Sequence, residues 1–158
     1  MHPASYKIME SLLSRFVAGG SGDVVDFGSQ DVNGTYRALF GSKWRYRGAD
    51  LSAGKNVDIV MQPYSIVIDS GSVDLVISGQ TIEHCRNPFL LVGEMVRVLK
   101  VGSPIILIAP FRWSVHRYPI DCWRFLPDGM QCLFEESGVK MTESKIIGDD
   151  CYAVGTKV

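Results

Sequence analysis

Two acids and a glycine-containing turn are the residues of this chain best placed for ligand chemistry. The apolar run Asp23–Phe27 carries Asp26, and Gly28, Ser29, Asn33 and Gly34 follow within seven residues of its end. A second run, Tyr46–Ala49, stops at Asp50. An ionised carboxylate offers about four lone-pair sites and suits a vicinal diol, and glycine lets a ligand come close to the backbone. The stretch reads as the seat of a nucleoside-bearing cofactor. A second set, His84, His116 and Asp121, supplies types suited to proton transfer, because an imidazole has an ordinary pKa near ~6.5 and an acid can orient it. Each of these residues also has a plainer reading: a strand-end surface acid, or a structural or surface histidine.

The spacing separates three cofactor classes. A phosphate-cradling loop needs G-x-x-x-x-G-K-[ST]. Here Gly28 and Gly34 are one residue too far apart and Thr35 stands where lysine is required. A dinucleotide turn needs G-x-G-x-x-G. Gln30 occupies the place of its second glycine, and Asp31 would repel the pyrophosphate. S-adenosylmethionine carries no phosphate; it brings a sulfonium, an ammonium and a ribose diol. A loop rich in acids and poor in cations suits it, with Asp50 accepting from the ribose hydroxyls. Asp26 would orient the loop amides or, through water, the ammonium.

The elements that position these residues follow from apolar spacing. Ile8, Leu12, Leu13 and Phe16 form one stripe of a helix over 5–17. Short apolar runs at 23–27, 46–49, 57–60, 73–78 and 104–109 read as strands buried on both faces. Phe89, Leu90, Val92, Met95, Val96 and Leu99 recur at helical spacing before a stop at Gly102. A short helix over 127–137 and a hairpin around Gly148-Asp149-Asp150 close the chain. The pattern predicts an α/β fold: a Rossmann-like, doubly wound, mostly parallel sheet with a C-terminal antiparallel hairpin and helices on both faces. The interval from Asp50 to Val57 is too short for a helix, so one crossover is expected to be truncated.

Composition narrows the function. The 158 residues suit one domain over 1–158, and 16 basic against 17 acidic residues give no electrostatic case for nucleic acid. The longest apolar run, Ile105–Ala109, is too short to span a bilayer. MHPASYKIME has no basic region followed by an apolar stretch, so no signal peptide and a cytoplasmic location are expected. The four cysteines show no C-x-x-C spacing; free thiols, and no metal ion, are the expectation.

Taken in order, VVDFGSQDVNGTY, YRGADLS and SVDLVISGQTIEHCRNPFLLVGEMVRVLKVGSPIILIAPF resemble the class I S-adenosylmethionine-dependent methyltransferases, and within them the small type-11-like domains. The resemblance covers roughly residues 20–140, and HRYPIDCWRF is similar to a stretch in a subset of them. It implies a cofactor loop at Asp26, Gly28 and Ser29, and a ribose-binding Asp50 beside Leu51. It further implies an adenine-contacting segment at Met61 and Gln62, a methyl-facing strand end at Ser78, Gly79 and Gln80, and a Glu83-His84 pair after it. Three departures stand out: Gln30 in place of a second glycine, no Asp at the adenine position, and the truncated crossover. The loop then takes another path, helped by Asn33 and Gly34, which tolerate unusual backbone angles.

The expected activity is methyl transfer to an oxygen or nitrogen of a small-molecule or sugar-containing, glycan-type acceptor by a monomer or homodimer. His84 or His116 would be the base and Asp121 its orienting partner. Arg117 and Arg124 are suited to an anionic acceptor, although Arg124 can equally pair with Asp121. Ser78-Gly79-Gln80-Thr81 lacks the Asn/Asp-Pro-Pro-aromatic signature of the base-amino methyltransferases. Two other readings are a non-catalytic S-adenosylmethionine-binding regulatory or interaction module and a nicotinamide-dependent enzyme.

Overall fold

The computed structural model describes residues 2–158. Helix α1 (Pro3–Phe16) leads into β1 (Gly22–Phe27), β2 (Trp44–Asp50), β3 (Ile59–Val60) and β4 (Leu75–Gly79). Then come α2 (Pro88–Val98), β5 (Pro104–Pro110), α3 (Pro127–Glu136), β6 (Val139–Ile147) and β7 (Asp150–Lys157). One seven-stranded sheet runs β3-β2-β1-β4-β5-β7-β6. The first five strands pair in parallel, and β7 runs antiparallel to both β5 and β6. The expected α/β architecture is therefore present.

Strand alternation gives the sheet two apolar faces. Val24, Leu75 and Ile77 point to the side covered by α1 through Ile8, Met9 and Leu12. Val25, Phe27 and Val76 point to the other, covered by α2 and α3 through Leu91, Met95, Leu133 and Phe134. Proline opens each helix, where its missing N–H costs nothing. The Asn87 side chain also caps α2 by accepting from the Leu90 amide at 3.2 Å.

The shortening of crossovers goes further than the sequence implied. Only a 3-10 turn, Arg37–Leu39, lies between β1 and β2, and no helix separates β2, β3 and β4. The β1–β2 connection holds Gly28, Asn33, Gly34 and Gly41, which break helical spacing. A groove of about 420 Å³ lies against α1, lined by Tyr6, Leu13, Leu39, Phe40 and Trp44. Trp44 opens β2, so this groove sits away from the strand ends that carry the predicted chemistry. Those ends meet where the strand order reverses, between β1 and β4, which is where open α/β sheets bind ligands.

Candidate active site

The loop after β1 is stitched to the loop after β2. Gly28 has φ 78°, and a Cβ there would lie 2.0 Å from Thr81 Oγ1. The Gly28 and Ser29 amides both donate to the Ala49 carbonyl, at 2.8 and 3.1 Å. The Ser29 hydroxyl donates to the Asn56 carbonyl at 3.1 Å, and Asn56 Nδ2 returns a bond to the Ser29 carbonyl at 2.8 Å. Gly48 leaves room for this exchange, since a Cβ there would meet the Asn56 carbonyl at 2.0 Å. The loop's second positive φ falls on Gly34, at 118°, and not on the exposed Asn33.

At the tip of β2, Asp50 is half-buried and accepts from the Gln30 amide at 3.1 Å and the Leu51 amide at 2.7 Å. Two of its four lone-pair sites are thereby used, and the remainder fit a ribose diol. The Gln30 amide bond locates the path that replaces the missing glycine. Asp26 pairs in register with Gly48, one strand over and two residues short of Asp50. Its buried carboxyl accepts from the Tyr46 hydroxyl rather than from loop amides, which corrects the expected contact. Strand alternation is the reason: Asp26 shares the α1 face with Val24 and Tyr46. Burial pushes Asp26 up to about 7; the Tyr46 hydrogen bond opposes this and the Asp50 charge adds to it.

The other positions divide. Leu51 and Gln62 are exposed, whereas Met61 is buried in the core on the α2 side. At the end of β4 the Ser78 hydroxyl donates to the Phe27 carbonyl at 2.8 Å, tying β4 to β1. Gly79 lets the Tyr36 hydroxyl approach, and that hydroxyl lies 2.6 Å from Ser5 Oγ. Gln80 adopts φ 58° and sends Nε2 to Asp150 at 2.9 Å.

Beyond β4 and β5 the structure brings His84, His116 and Asp121 together and adds Glu83 and Arg124. The turn Ile82–His84 receives the tail segment, whose Cys122 and Trp123 amides donate to the Glu83 carbonyl at 2.8 and 3.2 Å. The two imidazoles meet edge-on with centroids 4.8 Å apart. His84 Nδ1 lies 2.5 Å from the Ile120 carbonyl, so Nδ1 carries the proton and Nε2 the lone pair. His116 Nδ1 pairs with the Ser114 carbonyl at 3.2 Å and lies 3.3 Å from Asp121 Oδ2, which accepts the His116 backbone amide at 2.8 Å. The Arg124 guanidinium grips both Asp121 oxygens at 2.6 and 2.8 Å.

Electrostatics here follow enclosure. Glu83 is fully buried, neither carboxylate oxygen has a hydrogen-bond partner, and burial pushes its acid up to about 8. Burial holds His84 below the usual imidazole range, which keeps it neutral. The Arg124 guanidinium holds Asp121 well below the usual carboxylate range. Of the two arginines considered for an anionic acceptor, Arg124 is thus committed to Asp121, while Arg117 is exposed. Sequence reasoning gave no role to Glu83, Tyr36, Tyr46 or Asp150. The density of His, Asp, Arg and aromatics in HRYPIDCWRF was the one signal of a folded-back tail.

Residues 37–107 match a family model described as a methyltransferase domain. The fold is shared with a chain of the Haloferax volcanii complex that contains the Trm112 methyltransferase activator. That chain has TM-score 0.77 and 18% identity, over 97% of this chain and 90% of that one. An S-adenosylmethionine-dependent methyltransferase from Aquifex aeolicus superposes with TM-score 0.71 at 16% identity over 100% of both chains. The Burkholderia thailandensis 1,6-didemethyltoxoflavin-N1-methyltransferase, solved with 1,6-didemethyltoxoflavin and S-adenosylhomocysteine, gives TM-score 0.79 and 13% identity. It covers 98% of this chain and 78% of that one. None of the curated proteins compared matches this sequence.

Proposed function

We propose that this class I S-adenosylmethionine-dependent methyltransferase domain methylates an oxygen or nitrogen of a small-molecule or sugar-containing acceptor. Asp121, His116, His84 and Glu83 act in it as the group that receives the acceptor's proton. One observation carries the reading. An acid–imidazole pair, His116 with Asp121 Oδ2 at 3.3 Å, follows β5 and packs on the turn after β4, and Asp26 and Asp50 lie in the carboxyl ends of β1 and β2, parallel strands of the same sheet.

The cofactor supplies an electrophilic methyl group, so the protein's task is alignment and proton removal. Asp50 accepts from the ribose hydroxyls with the lone pairs its two amide bonds leave free. Gly28 lets the cofactor loop turn tightly against Thr81, with Ser29 fixing the loop through Asn56. Asp26 faces the ammonium, and Ser78, Gly79 and Gln80 form the floor at the end of β4. Leu51 and Gln62 border the base, and Met61 supports that border from the core. His116 is the more exposed imidazole, and its Nε2 takes the proton from the acceptor. The Ser114 carbonyl engages its Nδ1, Asp121 holds the residue through its backbone amide with Oδ2 close to the ring, and Arg124 fixes Asp121.

His116→Ala should lower turnover roughly 10²–10⁴-fold, the usual size of a general-base contribution, with S-adenosylmethionine affinity unchanged. Turnover would be followed as S-adenosylhomocysteine release over an acceptor panel, and affinity by calorimetry. Undiminished turnover in His116→Ala removes the proposed base. Cofactor binding with no turnover on any acceptor favours the non-catalytic module, and NAD binding alone overturns the reading.

A further inference from the structure

We propose that Glu83, His84 and His116 form a binding site for one divalent transition-metal cation of the zinc class. One donor atom from each lies within 4.8 Å of the others. Glu83 Oε1 is 3.6 Å from His84 Nε2 and 4.0 Å from His116 Nε2. Zinc ligands in a tetrahedron stand roughly 3.4 Å apart, given metal–ligand bonds of ~2.0–2.1 Å. Small side-chain rotations close the difference.

Two further observations point to a ligand. Glu83 is 0% exposed and both its oxygens lack a hydrogen-bond partner. A buried carboxylate without partners is costly, and an ion is one of the few things that satisfies it. The second observation is the set of outer contacts. Each imidazole has its Nδ1 engaged by a carbonyl, His84 by that of Ile120 at 2.5 Å and His116 by that of Ser114 at 3.2 Å, with Asp121 Oδ2 3.3 Å from the same His116 nitrogen. Both Nε2 lone pairs are thereby turned to the Glu83 carboxylate, the arrangement that fixes metal-bound histidines. Arg124 locks Asp121 in turn. Two imidazoles and a carboxylate favour zinc, cobalt or iron over magnesium or calcium. Three protein ligands leave a coordination position open, and the 35% exposure of the His116 side chain directs it outward. The site shares its residues with the acid–base cluster but rests on the orphaned carboxylate and the outer contacts, not on methyl transfer; a bound cation takes the His116 Nε2 lone pair, so His116 serves as base only in the metal-free chain.

The full chain, stripped with a chelator, would be titrated with ZnCl₂ by calorimetry and with CoCl₂ by visible absorption. One equivalent should bind, and the cobalt spectrum should show nitrogen and oxygen ligation without a thiolate charge-transfer band. Glu83→Gln and His116→Ala should each weaken binding by at least roughly tenfold, since loss of even an outer partner does so. His116 is a partly exposed loop residue, so its variant keeps the test usable should Glu83→Gln fail to fold. Absence of binding, a thiolate band from the four cysteines, or unchanged affinity in His116→Ala overturns the site. S-adenosylmethionine titrated into the same sample reports on the methyltransferase reading separately: its failure to bind counts against that reading alone.

Discussion

Asp26→Asn should change how stability depends on pH, and the size can be worked from the structure. Burial raises the Asp26 carboxyl from an ordinary 3.8 to about 7 in the folded protein. The gap is ~3 pH units, equivalent to about 4 kcal/mol at ~1.4 kcal/mol per unit. Below pH 3.8 both folded and unfolded chains hold the proton, and the group's contribution is fully present. Between there and pH 7 only the folded chain holds it, so unfolding releases a proton and stability falls as pH rises. Above about pH 7 the folded carboxyl ionises too and the loss levels off. Asparagine keeps an acceptor for the Tyr46 hydroxyl and cannot ionise. The variant should therefore gain on the wild type by about 3 kcal/mol between pH 5 and pH 8, the share of the shift inside that window. Urea unfolding at pH 5, 6, 7 and 8 would measure it. A wild-type-minus-variant difference that stays flat across those four points refutes the buried, proton-holding carboxyl.

Three more outcomes follow from the β1–β2 connection and the tip of β2. Gly28→Ala puts a Cβ at φ 78° within 2.0 Å of Thr81 Oγ1 and should cost roughly 2 kcal/mol or more in thermal melts. Gly41→Ala, where a Cβ would meet nothing within 4 Å, should be near neutral. Asp50→Asn should weaken S-adenosylmethionine binding roughly 10–100-fold in calorimetry, the worth of charge-assisted hydrogen bonds of ~1.5–3 kcal/mol; unchanged affinity would remove the ribose role.

Which parts of the molecule the sequence disclosed depends on how local their causes are. The order of strands and helices was readable because each apolar run reports its own period, and β1, β2, β4 and β5 lie within a few residues of where those runs are. The two strand-end acids were readable for the same reason. The further loss of crossover helices was harder to see, because the same glycines and asparagine that break helical spacing between β1 and β2 also suit the cofactor turn read there. Asp26 was placed correctly in the chain and misjudged in its partner, since Tyr46 reaches it from the next strand by register. Glu83 and His116 are 33 residues apart, and although the composition of HRYPIDCWRF hints at a folded-back tail, nothing local says that it sets these two 4.0 Å from each other. Long-range juxtaposition of this kind is decided by packing and leaves no period in the sequence.

The two-residue length of β3 has a consequence for how copies of the chain meet. Only Ala49 and Asp50 of β2 pair outward with it, so from Trp44 to Arg47 the outer margin of β2 has no neighbouring strand. Such a margin invites a strand from another molecule to add on. Charge lies close by: Arg45 and Arg47 belong to this stretch, both drawn toward Asp23 on the inner neighbour β1, and the Arg45 side chain is 71% exposed. An added strand would set its own side chains on the face that carries those guanidinium groups. A strand added there would have to carry side chains that tolerate two arginines, which narrows what can pair with this flank.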